Sequence, residues 1–136
     1  MTGSAIDRLA RAIEYPDKIP DGSVSFAFRA DGMEISVRES GDRLLLEFAL
    51  SQDEEMFPYL AGLAPGRMLK EKATLAFDPS ARRVFLWQDV PSNASAGVLS
   101  GTFGTFADSC EWWRDRAAGR NQDVGASRLP ETFIVP

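Results

Sequence analysis

The chain has 136 residues, 44% of them hydrophobic, a length that makes one domain and buries a core without disulfide or metal staples. Its 20 acidic and 15 basic residues leave a net charge of −5, the wrong sign for wrapping a phosphate backbone, so nucleic acid is not an expected partner. Histidine is absent and Cys110 is the single cysteine, which removes Ser–His and Cys–His catalysis, an internal disulfide and the usual zinc ligand sets.

The N-terminal stretch MTGSAIDRLARAIEYP lacks the apolar segment of a secretory signal, and nothing reaches the ~20 apolar residues that span a bilayer. A soluble, cytoplasmic protein with no membrane contact is expected. From Ser4 to Tyr15, Ile6, Leu9 and Ile13 fall at helical spacing, and Pro16 closes an amphipathic helix. After a connector to Gly22, SVSFAFRA places Val24, Phe26 and Phe28 on alternate positions. Asp31-Gly32 is a two-residue hairpin signal, and MEISVRE repeats the alternation with Met33, Ile35 and Val37. Gly41-Asp42 turns the chain into RLLLEFAL, where Leu44, Leu46, Phe48 and Leu50 share one face. A three-stranded meander follows.

Residues 51–64, SQDEEMFPYLAGLA, read as a second helix with a Ser51 or Asp53 cap. Met56, Phe57, Leu60 and Leu63 lie at helical spacing, and Pro58 keeps the helix short or kinked. The run Asp53-Glu54-Glu55 is expected to complement the dipole of the first turn. Adjacent helical residues diverge, so the three do not converge as an acid/base pair or cation site. Past Pro65-Gly66, KATLAFDP and RRVFLWQDV are strands joined by Asp78-Pro79-Ser80-Ala81. In the second, Val84 and Leu86 face one way and Phe85 and Trp87 the other, the pattern of a strand covered on both sides.

The segment GVLSGTFGTFADSCEWW holds three glycines in eight positions. At 100° per residue, Leu99, Phe103, Phe106, Cys110, Trp113 and Ala117 fall within about 40° of one line. Gly97, Gly101, Gly104 and Asp108 fall opposite. The glycines are thus the back of an amphipathic helix; a phosphate loop would place them before the helix and would carry Gly-Lys-Ser or Gly-Lys-Thr, which is absent. Each costs ~1 kcal/mol against alanine inside a helix. Either another backbone approaches that face, or the helix starts near Ser100 and leaves Gly97 in a loop. Cys110, within the apolar stripe, reads as a small buried hydrophobe. Trp112 lies off the stripe, where the tail RLPETFIVP or a partner would cover it.

The order of elements makes an α+β chain, α-β-β-β-α-β-β-α, with an antiparallel twisted sheet packed against helices. One domain is expected over residues 1–118, with 119–136 a C-terminal extension that is disordered or folded back. With that order and no catalytic set, Ala5 to Ala117 resembles the class I type III secretion chaperones, the Tir-chaperone or CesT-like family. The resemblance is carried by DGMEISVRESGDRLLLEFAL, KATLAFDPSARRVFLWQDVP and LSGTFGTFADSCEWWRDRA. In the last of these, Leu99, Phe103, Phe106 and Trp113 match the leucine, phenylalanine and tryptophan positions typical of that helix.

The resemblance implies a non-enzymatic homodimer, without cofactor or metal, that holds the N-terminal part of a secreted effector or secretion component in non-globular form. On that reading Ile6, Leu9, Ile13, Val24, Phe26, Phe28, Ile35 and Val37 line a client groove, although packing in the chain's own core accounts for the same residues. Trp87 and Trp112 are contact candidates, tryptophan being enriched where a partner fills a pocket. The resemblance also implies a dimer patch of Met56, Phe57, Leu60, Leu63, Met68, Leu69, Leu75 and Phe77, used twice by a two-fold axis. Pro58 and Pro65-Gly66 lie in that middle segment. A regulatory chaperone that binds an anti-activator, a small acidic immunity protein and a domain with a buried small-molecule pocket stay open on the residues alone.

Overall fold

A computed structural model describes the backbone over residues 4–68 and 71–134, and side chains over 4–67 and 71–119. Three helices and five strands follow the expected order: α1 (Ala5–Ala12), β1 (Ser25–Ala30), β2 (Met33–Ser40), β3 (Arg43–Ser51), α2 (Met56–Met68), β4 (Thr74–Asp78), β5 (Arg83–Pro91) and α3 (Ala96–Ile134). The strands form one antiparallel sheet in the order β1-β2-β3-β5-β4. β1 and β4 are therefore its edges.

Local chemistry fixes the turns. Asp31 and Gly32 have φ of 53° and 76°, the two positive values a two-residue hairpin needs to match strand twist. The turn after β4 is held by the Asp78 carboxylate. It accepts from the Ser80 hydroxyl at 2.7 Å and from the Ser80 and Ala81 amides at 3.0 and 3.3 Å. The Ser80 hydroxyl, ahead of the Ala81 amide, holds the Asp78 carboxyl below the usual carboxylate range. Ser4 caps α1, accepting from the Asp7 amide at 3.2 Å. Glu14 adopts φ 57° and ends that helix earlier than the spacing out to Tyr15 implies.

Two other expectations are corrected. The second helix does not begin at Ser51 or stop at Ala64: Ser51 closes β3, and residues 53–55 form the turn that leads into α2, with the Met56 and Phe57 amides bonded to the Asp53 and Glu54 carbonyls. Pro58 sits in the first turn, where no carbonyl four residues back is needed, so it is tolerated. The helix then continues through Pro65 to Met68. Likewise Gly97 is not in a loop. Ser95 caps α3, its hydroxyl accepting from the Val98 amide at 3.2 Å, and the helix starts at Ala96.

The core lies between one sheet face and the helices. β2 contributes Met33, Ile35 and Val37, β3 Leu44, Leu46 and Phe48, and β5 Val84, Leu86 and Val90, all buried. α3 closes it with the stripe the wheel defined: Leu99, Phe103, Phe106, Cys110, Trp113 and Ala117, none more than 7% exposed. α1 adds Ile6 and Leu9 and is pinned by Arg8, which donates to the Ser92 and Ala94 carbonyls. Arg114 ties α3 to the β1–β2 hairpin, donating to the Asp31 carbonyl at 2.7 Å. The Phe106 ring is wholly buried, so Phe106→Ala leaves a cavity and is expected to cost about 3–5 kcal/mol in urea unfolding.

Candidate docking surfaces

The residues named from sequence divide by burial. Ile6, Leu9, Ile35 and Val37 are at most 2% exposed, so they support a surface from beneath rather than touch a partner. Ile13, Phe26 and Phe28 are half-buried against the core, and Val24 is 59% exposed. Tyr15 stacks 4.8 Å from Phe26 and 6.3 Å from Phe28, and Phe28 meets Phe103 of α3 edge-on at 5.2 Å. The result is an aromatic shelf beside β1, whose outer side no strand pairs among the described residues. Unpaired main-chain groups beside a row of half-buried rings are what an added strand requires. Tyr15 was not among the residues singled out from sequence; its position just before Pro16, three residues past the end of α1, was the available sign.

The opposite edge is built differently. α2 carries one charge, Arg67, in MFPYLAGLAPGRM, and a helix apolar all round is normally buried all round. Here Met56, Leu60 and Ala64 are buried, Phe57 and Leu63 are half-buried, and Pro58, Gly62, Pro65 and Gly66 face solvent. Phe57 lies 5.8 Å from Phe77 of β4, so α2 and the edge strand present one continuous apolar patch. Leu75 is buried beneath it. The side chain of Met68 and all of Leu69 lie outside the described residues.

The far face of the sheet corrects a further expectation, since no helix covers the second side of β5. Phe85 and Trp87 are half-buried there. Phe85 lies under the Arg83 guanidinium at 4.8 Å, and Trp87 sits between Glu47 and Thr74 in register. Around them run the ion pairs Arg29–Glu34, Arg38–Glu47, Arg83–Glu47 and Arg43–Asp89, at 2.9–3.3 Å. Long charged stems covering apolar surface make this side compatible with water without a second layer.

Trp112 also has partners within the chain. The Arg67 guanidinium lies 4.3 Å and that of Arg116 4.5 Å from its ring, and the ring meets Trp113 edge-on at 5.1 Å. Arg67 in turn pairs with Glu71. The tryptophan is a clasp between α2 and α3. Among the described residues no three histidine, cysteine or carboxylate side chains gather as a metal site. No helix among them is long and apolar enough to cross a membrane. Burial pushes the Cys110 thiol well above its ordinary range, with the nearby Glu71 charge adding to it.

No family model matches the sequence, and no curated protein matches it. Solved structures do. A chain of the HopA1–SchA chaperone–effector complex superposes with a TM-score of 0.63 at 19% identity, over 82% of this chain and 91% of that one. A chain of the ExsC–ExsE complex gives 0.61 at 19% identity, over 81% and 91%. The Yersinia pestis type III secretion chaperone SycH, in complex with a stable fragment of YscM2, gives 0.57 at 11% identity, over 80% and 96%. The chain thus has the fold of the type III secretion chaperones.

Two outcomes follow from the clasp and the buried thiol. Trp112→Ala is expected to lower stability by about 1–2 kcal/mol and to speed amide exchange in α2, whereas Trp112→Phe keeps most of both. Because its pKa is raised, Cys110 stays a protonated thiol at pH 8, so Ellman's reagent is expected to react only at the rate of unfolding.

Proposed function

We propose that this chain is a non-enzymatic chaperone of type III secretion that works in the cytoplasm as a homodimer. It holds the N-terminal region of a secreted effector, or of another secretion component, in an extended and export-competent form. The observation that carries the reading is the likeness, over about four-fifths of the chain, to folds captured in complex with a second protein. Two features of this molecule support it independently: the unpaired outer edge of β1 with its aromatic shelf, and the all-apolar α2 beside edge strand β4.

The physical division of labour is direct. A client segment adds its main chain to the outer edge of β1, and its apolar side chains rest on Tyr15, Phe26 and Phe28 beside the exposed Val24. Ordering such a segment costs about 2–5 kcal/mol or more. Burial of apolar area at ~25 cal/mol per Å² offsets this, so a shelf of several rings is needed. The dimer forms through Phe57, Leu63 and Phe77, over the buried Met56, Leu60 and Leu75, with Gly62 at the exposed centre of α2. Trp112, held between two guanidiniums, keeps α2 in position for that contact and touches no client.

Co-expression with N-terminal fragments of secreted proteins from the same genome is the test. A stable complex with a fragment that is unfolded alone is expected, at a chaperone-to-client ratio of two to one by light scattering. Val24→Glu changes an exposed residue and should leave stability within about 0.5 kcal/mol while weakening the complex roughly tenfold. Gly62→Arg should halve the mass of the free chaperone. A wild-type chain that is monomeric at micromolar concentration, or that retains no such fragment, contradicts the assignment.

A further inference from the structure

Away from the β1 edge, the helix-covered side of the molecule holds a groove of about 390 Å³ where the first turns of α3 cross β5 and the segment between α2 and β4. Glu71, Lys72, Gln88, Val98, Gly101, Thr102 and Thr105 line it. Three features there are not used by the isolated chain. First, a Cβ built on Gly101 meets nothing within 4 Å, so alanine would fit the position and favour the helix more. Nothing within the described chain requires this glycine. Second, Gln88 stands in the row Val84, Leu86, Gln88, Val90 that faces the helices. It is 6% exposed, yet its carboxamide makes no hydrogen bond among the described residues. Third, Glu71 uses one carboxylate oxygen for Arg67, while its Oε2 is buried without a donor. Val98 stands at the rim, 51% exposed.

One kind of occupant answers all three. A carboxamide offers a donor and an acceptor in one plane, the complement of a peptide group's carbonyl and amide. The free carboxylate oxygen accepts a further N–H. Gly101 lets a main chain come close to the helix, which any side chain there would prevent. We propose that this groove is a second docking site, separate from the β1 edge, which takes an extended stretch of the client polypeptide and pairs its main chain with Gln88. The proposal rests on the client-holding function above.

The test uses the full chain and, as probe, the shortest dye-labelled N-terminal fragment of a secreted protein that co-purifies with it, read by anisotropy. Gln88→Leu replaces a carboxamide that bonds to nothing else among the described residues, and Gly101→Leu adds a side chain in open space on a helix. Both should therefore unfold at or above the wild-type midpoint while the Kd rises about three- to tenfold for Gln88→Leu and at least as much for Gly101→Leu. Val24→Glu serves as the comparison at the other site. If it weakens binding while both groove variants keep the wild-type Kd, the groove proposal is overturned and the chaperone function stands. Should Gly101→Leu change the mass of the free protein with no change in Kd, the occupant is a second copy and the proposal is wrong. If the wild-type chain binds no fragment, the function and the groove fall together.

Discussion

Burial of one stripe of α3 against the sheet is the constraint on which the rest of the molecule depends. Leu99, Phe103, Phe106, Cys110, Trp113 and Ala117 are together almost wholly withdrawn from water, and they close the core over the sheet, with α1 and α2 completing the cover. Because helical side chains three and four apart share a face, committing that stripe to the core also commits the opposite face, with its glycines, to the outside. The Arg114 bond to the Asp31 carbonyl then sets the height of the β1–β2 hairpin relative to the helix. Arg8 similarly fixes α1 against the connection between β5 and α3. The positions of the β1 edge, the aromatic shelf and the groove over Gln88 all follow from how α3 is seated.

The monomer satisfies itself unevenly. The uncovered sheet face is crossed by ion pairs and stays in water without penalty, although such exposed pairs contribute little stability singly. α2 and the outer sides of β1 and β4 are different, since they expose apolar side chains or unpaired main chain beside half-buried rings. Edge strands left in that state are a hazard unless a specific partner covers them. On the proposed function, these two edges are where another chain would be taken up.

Much of this was legible in the residues. Asp31-Gly32 announced its hairpin because only a few residue types accept two successive positive φ values, and the α3 stripe followed from 3.6-residue periodicity alone. The extent of α2 was not legible, because a proline in a first helical turn is neutral whereas the same residue later breaks the ladder. Spacing could not tell Pro58 in one role from Pro65 within the same helix. Ile6, Leu9, Ile35 and Val37 could be recognised as apolar faces but not ranked as floor or surface, since the pattern records which way a side chain points and not how much lies above it. The guanidinium clasp on Trp112 was half visible: Arg116 is four residues on along the same helix, while Arg67 arrives only through the fold. Gln88 was not singled out, although alternation puts it on the Val84 and Leu86 face; that this face lies under α3 comes only with β5 seated between β3 and β4.

The central claim is that the chain's open β1 edge is completed by an extended segment of another polypeptide. Amide hydrogen exchange, residue by residue across β1 in the free protein and in its co-purified complex, tests that most directly. Strand addition predicts that outward-pointing amides between Ser25 and Ala30 become strongly protected on binding, with protection lost again when the client fragment is removed. Unchanged exchange along that strand in a stoichiometric complex would contradict it.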